Sequence, residues 1–139
     1  MTNVSKIAIV TALFFAAMSA FANETVIAAE PFARVKSAAS DTAREKLSSS
    51  EARKNALAVS KNGSDYIWVT RQSRQLVHVQ SGAFHLFIDP RGGGYVKVLD
   101  QHALPETMRQ PGPRYRWYEH VSMGLETITY WGEADAFQP

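Results

Sequence analysis

The side chains of this chain that could do chemistry fall in two short stretches. His78 and His85 lie on either side of Ser81-Gly82, and Glu119-His120 stands among Arg114, Arg116, Tyr118 and Trp131. A strand hairpin turning at Ser81-Gly82 sets His78 directly opposite His85, near enough to offer two imidazoles to one metal ion. No turn supplies a third ligand, so this is a weak metal site, and two solvent-facing strand histidines are the plainer reading. Glu119-His120 invites general acid–base catalysis. Strand neighbours point to opposite faces, however, so the two cannot serve one site without a bulge. Glu119 itself falls on an apolar face. It is either a carboxylate with a raised pKa or, the favoured reading, a carboxylate in water at the sheet margin.

Other motifs carry less. Asp89-Pro90-Arg91-Gly92-Gly93-Gly94 shares only its glycines with phosphate loops. It lacks the Gly-Lys-Ser/Thr ending and precedes a strand, not a helix. It reads as a turn or flexible tip, and a side-chain-poor tip beside Arg91 suits insertion into a partner's cleft. None of the serines sits in Gly-x-Ser-x-Gly, so a serine hydrolase has no support. The chain has no cysteine. That removes disulfides, thiol nucleophiles and cysteine zinc sites. No cofactor motif is present.

These residues need strands to position them. After Gly63 the chain alternates β-branched and aromatic runs with Gly and Pro, and six strands are expected at 65–71, 75–80, 83–89, 95–100, 114–122 and 126–131. Short gaps make them antiparallel neighbours. Residues 101–113, with three prolines, form a long loop or a loop with one helical turn. Two turns fix a register. A turn at Ser81-Gly82 pairs Val79 with Phe84 and Val77 with Leu86. A turn at Met123-Gly124 pairs Trp117 with Tyr130, Glu119 with Ile128, Arg116 with Trp131, Tyr118 with Thr129 and His120 with Thr127. Each hairpin then sorts into an apolar face and a polar-aromatic one. The outer face gathers Arg114, Arg116, Tyr118, His120 and Trp131, with His78, His85 and Phe87 on the earlier hairpin. Arginine and aromatic enrichment is the composition of a protein-binding surface. The plainer alternative is that a helix covers this face, or that Arg116 merely stacks on Trp131.

The first half reads differently. Residues 34–61 are rich in Ala, Ser, Lys, Arg and Glu without Gly or Pro, which is helix composition. Thr42-x-x-Glu45 and Ser48-x-x-Glu51 are capping boxes, the second the better helix start, and Asn62-Gly63 closes the segment. The expected fold is therefore α+β: an N-terminal helical segment packed on a five- to six-stranded, mainly antiparallel meander. Residues 23–47 would be a lead-in and helical arm. Residues 48–139 would form a single domain, with a helix at 48–61 and strands within 65–131.

The N-terminus is an address. Lys6 precedes an apolar run from Ile7 to Phe21 that ends in Ala20-Phe21-Ala22, the pattern of a secretory signal cleaved before Asn23. The run is shorter than the ~20 residues that span a bilayer, so stable membrane insertion after cleavage is not expected. The full chain of 139 residues has a formal net charge of +2. Residues 1–22 hold Lys6 as their one charge, so cleavage leaves 117 residues at +1. Charge this balanced argues against a nucleic-acid partner held by bulk electrostatics. A single domain of this size can bury enough surface to fold without staples. The Ala-rich signal suits bacterial export to the periplasm of a Gram-negative cell or beyond it. A helix-then-sheet plan behind an export signal is shared by many small periplasmic inhibitors and immunity-type proteins, a likeness of architecture that carries no residue across.

The functional expectation is a non-enzymatic binding protein that engages another protein of the envelope or outside the cell, as an inhibitor or immunity-type protein. It would present Arg114, Arg116, Tyr118, His120 and Trp131, or the loop beginning at Arg91. One alternative is a small secreted hydrolase or nuclease using His78, His85, His120 and an arginine around a phosphate. Another is a subunit of an envelope assembly with residues 23–47 as a docking arm.

Overall fold

The protein is described by a computed structural model covering residues 23–38 and 41–139. The secretory signal expected at 1–22 lies outside the described residues. The described chain is almost entirely strand. In order it runs β1 (Glu24–Ala29), β2 (Pro31–Ala38), β3 (Asp41–Lys46), a short helix α1 (Ser49–Lys54), β4 (Leu57–Asn62), β5 (Asp65–Trp68), β6 (Arg74–Ser81), β7 (Phe84–Ile88), β8 (Gly94–Asp100), β9 (Tyr115–Met123) and β10 (Glu126–Ala134). Two 3₁₀ turns, Gln101–Ala103 and Glu106–Met108, lie in the loop before β9.

All ten strands join one antiparallel sheet in the order β1-β4-β5-β6-β7-β8-β9-β10-β2-β3. β1 and β2 follow each other with Glu30 alone between them, yet β1 pairs with β4 and β2 with β10. One run of chain thus joins both ends of the meander, and the sheet curls into a barrel. β3 and β4 form the return along that run: Lys46 pairs with Ala33 and Leu57 with Ala29, with α1 as an excursion between them. Side chains fill the interior, as in small barrels of about eight staves. Trp68, Trp117, Phe87, Ile27, Leu57, Val59, Val96 and Val98 are fully buried there. Gly132 is part of the same packing, because a Cβ at that position would run into the Trp117 indole.

The fold therefore overturns the α+β expectation. Residues 23–47, read as a lead-in and helical arm, are strands β1–β3, and the helix expected over 48–61 is one and a half turns. Its start is as read: Ser48 Oγ accepts from the Glu51 backbone N–H at 3.3 Å. It stops at Asn55, and Leu57–Asn62 becomes β4. Helix propensity differs by at most about 0.7 kcal/mol between ordinary residues, a weak preference that tertiary pairing overrides. The β2–β3 pair was hidden because charged side chains stand at its inward positions. Arg34 pairs in register with buried Tyr130 on one side and with Glu45 on the other, and it forms ion pairs at 3.0 Å with both Glu45 and Glu51.

The six strands expected after Gly63 are present, but both hairpin registers move by two. Observed pairs are Ser81–Phe84, Val79–Leu86 and Val77–Ile88, and then Met123–Glu126, Tyr130–Glu119 and Trp131–Tyr118. The turns are Gly82-Ala83 and Gly124-Leu125, with glycine at the first central position, at φ +58° and +66°. Hairpin turns with a first central residue at positive φ match the twist of the flanking strands. An even shift leaves the side-chain partition of each hairpin intact. What changes is which partition faces in. In the β6–β7 hairpin, Leu76, His85 and Phe87 are buried, while Val77 and Val79 are 51% and 45% exposed.

Candidate functional site

Three groups of polar side chains stand out, one outside the barrel and two within it. On the outside, β9 and β10 place Tyr118 beside Trp131, ring centroids 6.3 Å apart and edge to face. The Arg44 guanidinium of β3 lies 5.5 Å over the Trp131 ring. Phe32, Arg44, Arg116, Tyr118 and Trp131 surround a recess of about 190 Å³. Arg116 reaches Glu133 at 3.7 Å, and its Nε has no partner among the described residues. One row along, His120 stacks on Tyr95 at 5.0 Å and its Nδ1 meets the Thr129 hydroxyl at 2.9 Å.

The structure thus brings together Arg116, Tyr118, His120 and Trp131, and α1 does not cover them. Arg114 and Arg91 are elsewhere. Arg114 makes two bonds to the Asp100 carboxylate, at 2.9 and 3.0 Å. Arg91 is exposed in the β7–β8 loop. That loop is no free tip, since Asp89 accepts the backbone N–H of Arg91 and of Gly93 and the Arg74 guanidinium. Burial pushes the Asp89 carboxyl up, but these donors outweigh it and hold it below the usual range. A Cβ on Gly94 would collide with the His120 carbonyl, which is why this strand start runs so close to β9. Sequence reading missed Phe32, Arg44 and Tyr95. Two of these three lie in the segment read as lead-in and helical arm, where an irregularity in the β2–β10 register beside Phe32 interrupts the alternation a sequence reading would look for.

Inside, the first cluster is built on Glu119. It is fully buried, not at a margin in water. Its Oε2 accepts the Trp68 indole N–H at 2.7 Å and its Oε1 meets Arg71 Nη2 at 3.0 Å. Burial raises its pKa, and Arg71 and Trp68 draw it part of the way back. Arg71 also sits 5.4 Å over the Tyr130 ring, whose hydroxyl donates to Asn55 Oδ1 at 3.0 Å. The partly hidden Arg34–Glu45–Glu51 group continues this polar lining.

The second inner cluster is the histidine pair. His78 and His85 are not opposite one another, because His78 pairs with Phe87 and Gln80 with His85. They are diagonal neighbours on the inward face, with His78 Nε2 2.9 Å from His85 Nδ1. Tyr66, Phe87 and Phe137 pack around them. Burial lowers both pKa values, and the mutual proximity and Lys61 add to this at His78, while Asp100 opposes it at His85. Two nitrogens at this spacing could share a metal. No group of three or more His, Asp or Glu able to hold an ion occurs among the described residues. The constellation needed by a hydrolase or nuclease is divided by the sheet: His78 and His85 point in, His120 and Arg116 point out.

Among the described residues no helix is long and apolar enough to cross a membrane. No family model matches this chain, and neither a curated protein nor a solved structure does.

Proposed function

We propose that this is an exported, non-enzymatic binding protein that engages another protein through the outer face of β9, β10, β2 and β3. The observation that carries the reading is the Trp131–Arg44–Tyr118–Arg116–Phe32 group around its recess. Half-exposed tryptophan, tyrosine and arginine on rigid strands are the residue types that dominate binding energy at protein interfaces. Anchors placed on paired strands lose little conformational freedom when a partner covers them. The two inner histidines are committed to one another, which supports binding over hydrolysis by the histidines. Export to a periplasm or beyond it rests on the N-terminal signal, and an inhibitory or immunity-type action is the narrower form of the same proposal.

The test is retention of a partner from the envelope fraction by the immobilised protein. Wild type is expected to hold one partner stoichiometrically. The Arg116→Ala, Trp131→Ala double variant is expected to lose it, since hot-spot truncations cost about 2 kcal/mol or more each, at least about thirtyfold in affinity. Retention that survives the double variant but is lost with His78→Ala overturns the proposal.

A further inference from the structure

Independently of the outer face, the barrel has an unexplained opening at the end where residues 69–73, 89–93 and 124–125 turn. A cleft of about 300 Å³ lies there, lined among others by Trp68, Thr70, Arg71, Arg74, Val121 and Met123. Volumes of this order hold small organic molecules. The turn between β5 and β6 places Gln72 and Ser73 at φ 60° and 52°. Consecutive non-glycine residues hold such a conformation only where surrounding structure imposes it. Here it brings two arginines to the same mouth. Arg71 Nη2 meets Glu119 at 3.0 Å, and Arg74 Nη1 meets Asp89 at 2.7 Å.

The two pairs are not self-contained. Their carboxylates are buried, with side chains 0% and 1% exposed, whereas the arginines are 27% and 40% exposed. The cleft lining has two guanidinium groups and no carboxylate. Each guanidinium has five N–H donors in a planar fork, and one nitrogen of each is committed to its carboxylate. Both arginines line the cleft with accessible side chains, and their uncommitted N–H groups there point to an acceptor that enters from outside. Trp68, Val121 and Met123 give the same cleft an apolar wall.

We propose that this cleft binds a small carboxylate with an apolar body. The carboxylate accepts from the free N–H groups of Arg71 and Arg74, and the body lies on Val121 and Met123. Planar bidentate geometry favours a carboxylate on arginine, and the apolar wall disfavours a fully hydrated inorganic anion. The carboxylate has two sources, a free organic acid or the C-terminus of a polypeptide.

Benzoate is the probe, titrated into the full chain at constant ionic strength and followed by tryptophan emission and calorimetry. Benzamide and inorganic phosphate are the controls. Saturable benzoate binding is expected, with both controls at least about tenfold weaker. Because removing Arg71 strands Glu119, the variants leave both ion pairs intact. Val121→Trp fills the cleft and is expected to abolish binding. Met123→Asp, at an exposed position, sets a like charge at the mouth and is expected to weaken binding about tenfold. Equal binding of benzamide, a response that never saturates, or benzoate binding untouched by both variants overturns the proposal. A peptide with a free aromatic C-terminus, set against its amide, then names the source. Tighter binding of the free peptide than of benzoate assigns a polypeptide terminus, and weaker binding assigns a free acid.

Discussion

The two ends of the barrel bury polar groups by opposite means. At the end of the 69–73 turn, Glu119 is fully buried and is met by an arginine and an indole N–H. At the other end, where the chain terminates, His78 and His85 face each other at 2.9 Å under Phe137 and the groups that reach them are mainly aromatic rings. The first end keeps a charge and supplies a counter-charge. The second removes the charge, since burial pushes both imidazoles toward the neutral form. The lesson is that burial of an ionisable group selects a partner or a protonation state, and the choice sets how each end responds to mutation and to pH.

The sharpest way to break the contrast is at Arg71. Arg71→Met leaves Glu119 buried without its counter-charge and is expected to cost about 3–5 kcal/mol in urea unfolding at pH 7. A carboxyl whose folded pKa lies above its unfolded value stabilises the fold below the unfolded pKa and loses that stabilisation as pH rises through the folded value. The loss in Arg71→Met should therefore shrink on acidification toward pH 5. Adding Glu119→Gln should recover part of it at pH 7. A double variant as unstable as Arg71→Met alone, with no pH dependence, would show that Arg71 acts through packing alone.

At the opposite end Phe137→Ala is expected to cost about 3 kcal/mol, the usual loss for a buried Phe, although the residue is third from the C-terminus. An unchanged melting curve would mean that the terminal residues do not cap the barrel. A smaller effect distinguishes the ends by pH. Histidines with depressed folded pKa values bind more protons when unfolded, so their contribution is full above about pH 6.5 and is lost as pH falls toward the folded values. The sign is opposite to that of Glu119. His78→Phe should flatten the decline in stability between pH 6.5 and pH 5, measured by denaturant titration at several pH values. The smallest effect belongs to the Arg114–Asp100 pair: Arg114→Ala should lower the thermal midpoint by no more than a few degrees.

What could be read from sequence follows the same physics. The strands after Gly63 were legible because aromatic and β-branched runs between glycines have a local signature. The Ser48 cap was legible because capping is a contact between near neighbours. The strands over 31–46 were not, since Arg34 and Glu45 occupy inward positions, and β1 was not because its buried Val26 and Ile27 are consecutive at a register shift. The direction in which the β6–β7 hairpin faces was not legible either. Val77 and Val79 are the more hydrophobic choice for a core, yet the inward side is decided by Tyr66, Phe87 and Phe137 from other strands. Of the candidate binding residues, Arg116, Tyr118, His120 and Trp131 belong to one strand pair and needed only parity. Arg44 and Phe32 needed the closure of the barrel to reach them.

That closure has a consequence for timing. Ser37 pairs with Thr127, and Arg34 with Tyr130, so the first staves synthesised wait for the last. Local hairpins can form as the chain emerges, but the ring cannot shut while the C-terminus is missing, and contacts of such sequence separation are slow to find. Until then β2 and β9 each present an unpaired edge, the part of a sheet most prone to join other chains. A polypeptide read as exported gains from this delay. It stays threadable until its final strand is made, and the same strand that locks the barrel also completes the Tyr118–Trp131 face.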